Sequence, residues 1–244
     1  FYELRQHRKK GAEMKMSALA GIAVVIGLGL VLAACSNNLG RPTGGKNPYH
    51  HLEKGFRNPP DSPKRDIPFT KRLKFFGQAI WRNAVSKAPN IPSEHAIERE
   101  VAKAQLAAMG DNDFVSWIGH ATFLVRLDGV NVLTDPVFSR RASPVSFAGP
   151  ARLVPPGLRM EDLPPIDVVV ISHAHYDHLD TATLESLPNK HRITAVVPLG
   201  LGKYFKDYGD VREVDWYDEV TLTSPNGGFK LTAYPAVHWS SRSL

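Results

Sequence analysis

Apolar residues are spaced in two different ways along this chain, and the change of spacing marks out its elements. Ile97, Val101, Ala104 and Ala108 recur at helical intervals, with Ser93 placed to cap the start and Gly110 following the end, which predicts a packing helix from Ser93 to about Met109. Shorter β-type runs follow at Phe114–Ile118, Thr122–Leu127 and Val130–Leu133, the last two separated by the hairpin pair Asp128-Gly129. Val168, Val169, Val170 and Ile171 form an uninterrupted β-branched run, the pattern of a strand buried on both faces. Asp180 is placed to cap a short helix reaching about Leu187. A strand at Ala195–Val197, a helix over Leu199–Tyr208 and strands near Val211–Val214, Val220–Leu222 and Phe229–Ala236 complete the series. Strands alternating with helices predict a layered α/β body.

Between Asp135 and Ile166 the pattern lapses for about thirty residues that contain seven prolines. A loop of this length within a compact domain is usually functional or disordered. Arg140, Arg141, Arg152 and Arg159 stand in it among Phe138, Phe147, Leu153 and Leu158, a mixture suited to an anionic amphiphile. A solvated loop whose arginines pair with local carboxylates is the alternative.

The first 68 residues read differently. Lys9, Lys10 and Lys15 precede an apolar run from Ala18 to Ala34 that closes on Cys35, the one cysteine of the chain. A charged stretch, an apolar stretch and small residues together make a signal peptide over residues 1–35, and Leu32-Ala33-Ala34-Cys35 resembles a bacterial lipobox, which makes Cys35 a lipidation site. A plain transmembrane anchor fits the same run. Met14 and Met16 stand where such a peptide would begin, so residues 1–13 fit translated upstream sequence. Residues 36–68, rich in Asn, Gly, Pro and Lys, read as a tether, in which the adjacent His50 and His51 read as incidental. The expected location is the bacterial cell envelope, lipid-anchored at the outer membrane and facing the periplasm.

Charge sharpens this division. Residues 1–75 carry 14 Lys/Arg against 5 Asp/Glu, whereas residues 76–244 carry 16 against 19, so the basic balance belongs to the N-terminal part. A nucleic-acid partner is therefore not expected, because such a domain places its basic residues on the folded body. A single cysteine also excludes a disulfide framework and a Cys-rich zinc site.

The candidate chemistry follows the buried strand directly. His173-Ala-His-Tyr-Asp-His178 places three imidazoles and a carboxylate within six residues, and donors of this type without thiolate suit zinc, with manganese or iron also possible. Ser172-His-Ala-His-Tyr-Asp-His-Leu-Asp180 resembles the signature of the metallo-β-lactamase superfamily. Trp117-Ile-Gly-His-Ala-Thr122, Leu133-Thr-Asp-Pro136, Arg141-Ala-Ser-Pro144, Leu163-Pro-Pro-Ile-Asp167 and Pro235-Ala-Val-His-Trp-Ser240 are similar to the branch of N-acylphosphatidylethanolamine-hydrolysing phospholipase D and romA-type outer-membrane proteins.

The resemblance implies an αββα sandwich and two divalent metal ions. It makes His173, His175 and His238 ligands of one metal and Asp177, the catalytic carboxylate, with His178 ligands of the other. Asp135 would orient ligands from outside them, and His120, Arg140, Arg141 and Arg152 are candidate substrate contacts. The family uses a further bridging aspartate and histidine after the position of His238, so residues 69–244 are expected to be the N-terminal part of the domain, incomplete in its second half and inactive alone. Two metals sharing a water lower its pKa enough to give hydroxide near neutral pH. The expected activity is phosphodiester hydrolysis of a membrane phospholipid. A lactonase or β-lactamase of the same fold, or a non-catalytic metal-binding lipoprotein, is the alternative.

Overall fold

The computed structural model describes residues 48–63, 67–85, 90–147, 149–224, 227–240 and 242; the expected signal peptide and Cys35 lie outside these. All the elements below belong to the compact unit spanning Leu39–Ser240. Six strands form one mixed sheet in sequence order: β1 (Phe114–Gly119), β2 (Thr122–Leu127), β3 (Val130–Thr134), β4 (Val168–Val170), β5 (Thr194–Pro198) and β6 (Asp210–Val214). β1, β2 and β3 pair antiparallel, and β3 through β6 run parallel. At the β2–β3 turn Asp128 and Gly129 both have positive φ (48° and 73°), the twist a two-residue hairpin requires. A separate antiparallel pair, β7 (Glu219–Ser224) and β8 (Gly227–Thr232), makes a second sheet.

Alternation along the central strands explains the layering. Leu133, Val169, Ala195 and Val197 point into one core with Leu184, Leu187 and Phe205, while Val132, Val168 and Val196 point into the other with Val220 and Leu222. Successive side chains leave opposite faces of a strand, so an uninterrupted apolar run is what a doubly covered sheet needs. The hairpin β7–β8 covers one face. The other is covered by loops and by α3 (Thr181–Ser186), with α2 (Arg99–Met109) adding Leu106 at its margin. Leu133 is completely buried, and Leu133→Ala is expected to lower stability by about 2–5 kcal/mol in urea unfolding.

Several expectations need correction. The helix expected from Ser93 begins at Arg99, because Ala96 and Glu98 are extended and leave Ser93–His95 as a separate 3-10 turn. Ile97 and Val101 are exposed, and the helix packs through Leu106 instead. Over Leu199–Tyr208 the chain makes only a 3-10 turn at Gly202–Tyr204, since Gly200 at φ 84° breaks a helical path. β8 ends at Thr232, so Ala233–Ser240 runs as a loop outside any strand. The pattern did not predict α1 (Phe69–Val85) at all.

Within the tether expected over residues 36–68, the segment from Pro48 to Asn58 is docked on the body. His50 is buried, and both His50 and His51 hydrogen-bond to Asp215 at the end of β6. Neither histidine is incidental. Among the described residues no helix is long and apolar enough to cross a membrane.

Candidate metal centre

Sheet register brings the chemistry to one end of the molecule. Thr134 lies opposite Phe123 on one side and Val170 on the other, and Thr122 lies opposite Gly119. The β1–β2 turn, Asp135 and the loop after β4 therefore meet at the carboxyl ends of β3 and β4. That is the edge at which open α/β sheets usually hold their ligands.

Two clusters of donors assemble there: His173, His175 and His238 in one, His120, Asp177 and His178 in the other. In the first, His175 Nδ1 lies 2.9 Å from His173 Nε2 and 3.3 Å from His238 Nε2. In the second, Asp177 Oδ2 lies 3.0 Å from His120 Nε2 and 3.7 Å from His178 Nε2. Ligands at about 2.0–2.1 Å around a tetrahedral zinc are about 3.3 Å from one another, so both clusters have the spacing of atoms that share a cation. The clusters adjoin, with the His173 and His178 rings 4.0 Å apart.

Asp135 organises both clusters from behind. Buried, at φ 35°, it accepts hydrogen bonds from Ser172 N–H and Ser172 Oγ (both 2.7 Å) and from His178 Nδ1 (2.9 Å). With its proton given to Asp135, Ser172 Oγ is left as an acceptor for His173 Nδ1 at 2.9 Å. Both rings are thereby fixed as the Nδ1–H tautomer with their Nε2 lone pairs facing the clusters. A carboxylate holding a ligating imidazole in this way also raises its basicity.

The electrostatics fit cation binding. Burial, helped by the neighbouring imidazoles His178, His175 and His238 and opposed by Asp135, pushes His173 down to about 4, which keeps it a neutral donor. Burial also depresses His178, but its bond to Asp135 and the two carboxylate charges more than offset this and hold it above its ordinary value. For Asp177, burial opposes ionisation, yet its own backbone N–H and the two histidines, His178 and His120, keep it below the usual carboxylate range. Three histidines in one cluster and two histidines with a carboxylate in the other form a donor set for divalent cations of the zinc type.

Other candidate residues are placed less simply. His120, read as a substrate contact, stands at φ 52° in the β1–β2 turn, where Trp117 Nε1 donates to its carbonyl at 2.9 Å, and it joins Asp177 as a donor. Arg141 donates to Gly149 O at 2.6 Å, and Arg152 donates to Val137 O at 2.5 Å. A long loop without ladders needs side-chain donors for its carbonyls, so these two arginines brace the loop and are not simply free to meet substrate. Arg152 is additionally depressed by burial, against the charge of Asp180. Arg140 is exposed and accepts Arg152 N–H through its backbone carbonyl.

Comparison with known proteins agrees with this arrangement. Residues 130–244 match the family described as the beta-lactamase superfamily domain. An uncharacterised protein of Mycobacterium tuberculosis is 40% identical over 162 residues, 62% of this chain and 42% of that protein. N-acyl-phosphatidylethanolamine-hydrolyzing phospholipase D 1 of Caenorhabditis elegans is 42% identical over 139 residues, 54% of this chain and 39% of that protein. A UPF0173 metal-dependent hydrolase of Hyperthermus butylicus is 29% identical over 133 residues, 53% of this chain and 52% of that protein. The chain thus spans about two-fifths of the length of the first two.

A mixed α/β sheet carries paired His/Asp clusters at its carboxyl edge, and the match over residues 130–244 together with these relatives supports a member of the metallo-β-lactamase superfamily. Within it, the chain resembles the N-acylphosphatidylethanolamine-hydrolysing phospholipases D.

Proposed function

We propose that the protein carrying this chain is a metal-dependent hydrolase that cleaves a phosphodiester of a membrane phospholipid. The observation that carries the reading is the pair of adjoining donor clusters, His173/His175/His238 and His120/Asp177/His178. Two divalent cations, zinc first among the candidates, would supply an acidified water and Lewis acidity toward a phosphoryl oxygen. The chain's own part is to hold the imidazoles and one ionised carboxylate in place, with Asp135 and Ser172 fixing the rings of His178 and His173. Asp177 and His120 stand half exposed on the open side, where they can meet a substrate or its proton.

The phospholipid is supported by the relative from Caenorhabditis elegans and by the character of α1. That helix contains four Lys/Arg and no Asp/Glu, and it exposes Phe69, Phe75 and Trp81 at 64%, 65% and 67%. A basic helix with exposed aromatic residues suits the headgroup boundary of an anionic membrane. This helix and the lipobox-like Cys35 support a location at the bacterial cell envelope as part of the same proposal.

The test is product analysis. The protein loaded with zinc and given N-acylphosphatidylethanolamine vesicles is expected to release phosphatidic acid, and chelation is expected to stop it. Turnover of lactones or β-lactams with no phosphatidic acid would overturn the substrate assignment, and a protein that retains no metal after purification would overturn the hydrolase assignment.

A further inference from the structure

His238 is the remote member of its cluster, 63 residues from His175, on an exposed loop outside any strand. Ligands on loops need support if they are to hold their geometry. On one side of the loop Ser240 Oγ accepts Ala174 N–H at 3.0 Å, which ties it to the His173–His178 segment. On the other, the backbone N–H of His238 itself donates to Asn58 Oδ1 at 3.2 Å.

Asn58 stands at the end of a small folded strap. Within Pro48–Asn58, His51 and Phe56 bridge in antiparallel fashion, and Arg57 N–H donates to His50 O at 2.9 Å. The strap is fastened to the body by one carboxylate: Asp215 Oδ1 takes His50 Nε2 at 2.6 Å and Oδ2 takes His51 Nε2 at 2.7 Å. Trp216 N–H also donates to Oδ1 at 2.8 Å, and the His50 ring stacks on Trp216 at 3.9 Å and 11°. These donors also lie close enough together to hold a cation, but 2.6 and 2.7 Å are the spacings of completed charge-assisted hydrogen bonds, and each imidazole already fills one carboxylate oxygen.

We infer that residues 48–58 are a positioning strap, in which the His50–His51–Asp215 clasp fixes the segment to the end of β6 and Asn58 sets the His238 loop so that its Nε2 meets His175. The inference rests on reading His173, His175 and His238 as one metal site. Asn58, His50 and His51 touch no substrate. They act through His238.

The experiment compares the unaltered chain with Asn58→Ala, Asn58→Asp and the double variant His50→Ala/His51→Ala. Amide exchange of His238 is measured in the metal-free chain, and cobalt(II) is titrated while its visible spectrum is followed. Asn58→Ala and the double variant are expected to speed exchange at His238 by several-fold to roughly tenfold, the effect of losing one hydrogen bond. They should weaken cobalt binding by roughly tenfold and shift its absorption band, as loss of an orienting partner does. Asn58→Asp keeps an acceptor and should behave as the unaltered chain. If the double variant does not fold, the Asn58 pair decides.

Unchanged exchange and an unchanged cobalt spectrum in Asn58→Ala would overturn the inference. So would a double variant that loses one metal equivalent with His238 exchange unaltered, since the clasp would then itself be a metal site. No cobalt binding by the unaltered chain would sink the metal reading, and with it the ligand-positioning role, while the exchange data would still show separately whether the strap holds the loop.

Discussion

Asp177→Ala is expected to remove hydrolysis and one of two bound cations, while Asp135→Ala weakens both without touching either. In the cluster of His120, Asp177 and His178, Asp177 supplies the charge, and its Oδ2 is the atom that both histidines face. Alanine there leaves two imidazoles and no carboxylate, a set that holds a divalent cation far less well than one containing a carboxylate. Asp135 stands one bond further out, and loss of such a partner costs about 10–100-fold in metal affinity or activity. Asp177→Ala should exceed that range and Asp135→Ala fall within it. Here the carboxylate orients both His178 directly and His173 through Ser172, so Asp135→Ala should weaken both metals rather than one. Metal analysis after dialysis at graded free zinc, with kcat/KM on the same samples, separates the two. Full retention of both metals by Asp177→Ala would rule out its place as a ligand.

What the sequence disclosed and what it hid divide by distance along the chain. The central strands were legible because burial on both faces imposes an apolar run at Val168–Ile171 and strict alternation around it. The motif from His173 to His178 was legible because its donors are contiguous. His120 was named only as a substrate contact; its place beside Asp177 was not legible, because it depends on antiparallel register folding the β1–β2 turn back beside β4. His50 and His51 were misread for the same reason: their partner Asp215 lies more than 160 residues away. α1 was missed although Phe69, Leu73, Phe76 and Ile80 recur in it at helical intervals among basic residues. The helix expected over Leu199–Tyr208 failed locally, on Gly200, whose positive φ the apolar spacing of its neighbours did not reveal.

Asp180→Ala is expected to be among the most damaging changes outside the metal clusters, and its effect should fall on stability. The carboxylate is buried and is the N-cap of α3. Its Oδ1 accepts Ser139 Oγ at 2.9 Å and Thr183 N–H at 3.4 Å, and its Oδ2 accepts Ser139 N–H at 2.9 Å and Thr183 Oγ1 at 2.6 Å. Thr183 Oγ1 in turn accepts Phe138 N–H at 2.9 Å, so the entry to the long loop and the start of α3 hang on one side chain. Removing it strands several donors in a buried place, and each such donor costs about 1–3 kcal/mol. Partial compensation by water brings the expected total for these four donors to about 3–5 kcal/mol. A domain of this size loses about 2–4 °C of Tm per kcal/mol, which makes the fall roughly 6–20 °C. Asp180→Asn retains one accepting oxygen and should lose about half as much. A melting point within about 2 °C of the unaltered protein for Asp180→Ala would mean that the loop has another anchor and that this network is not what secures the rim of the metal centre.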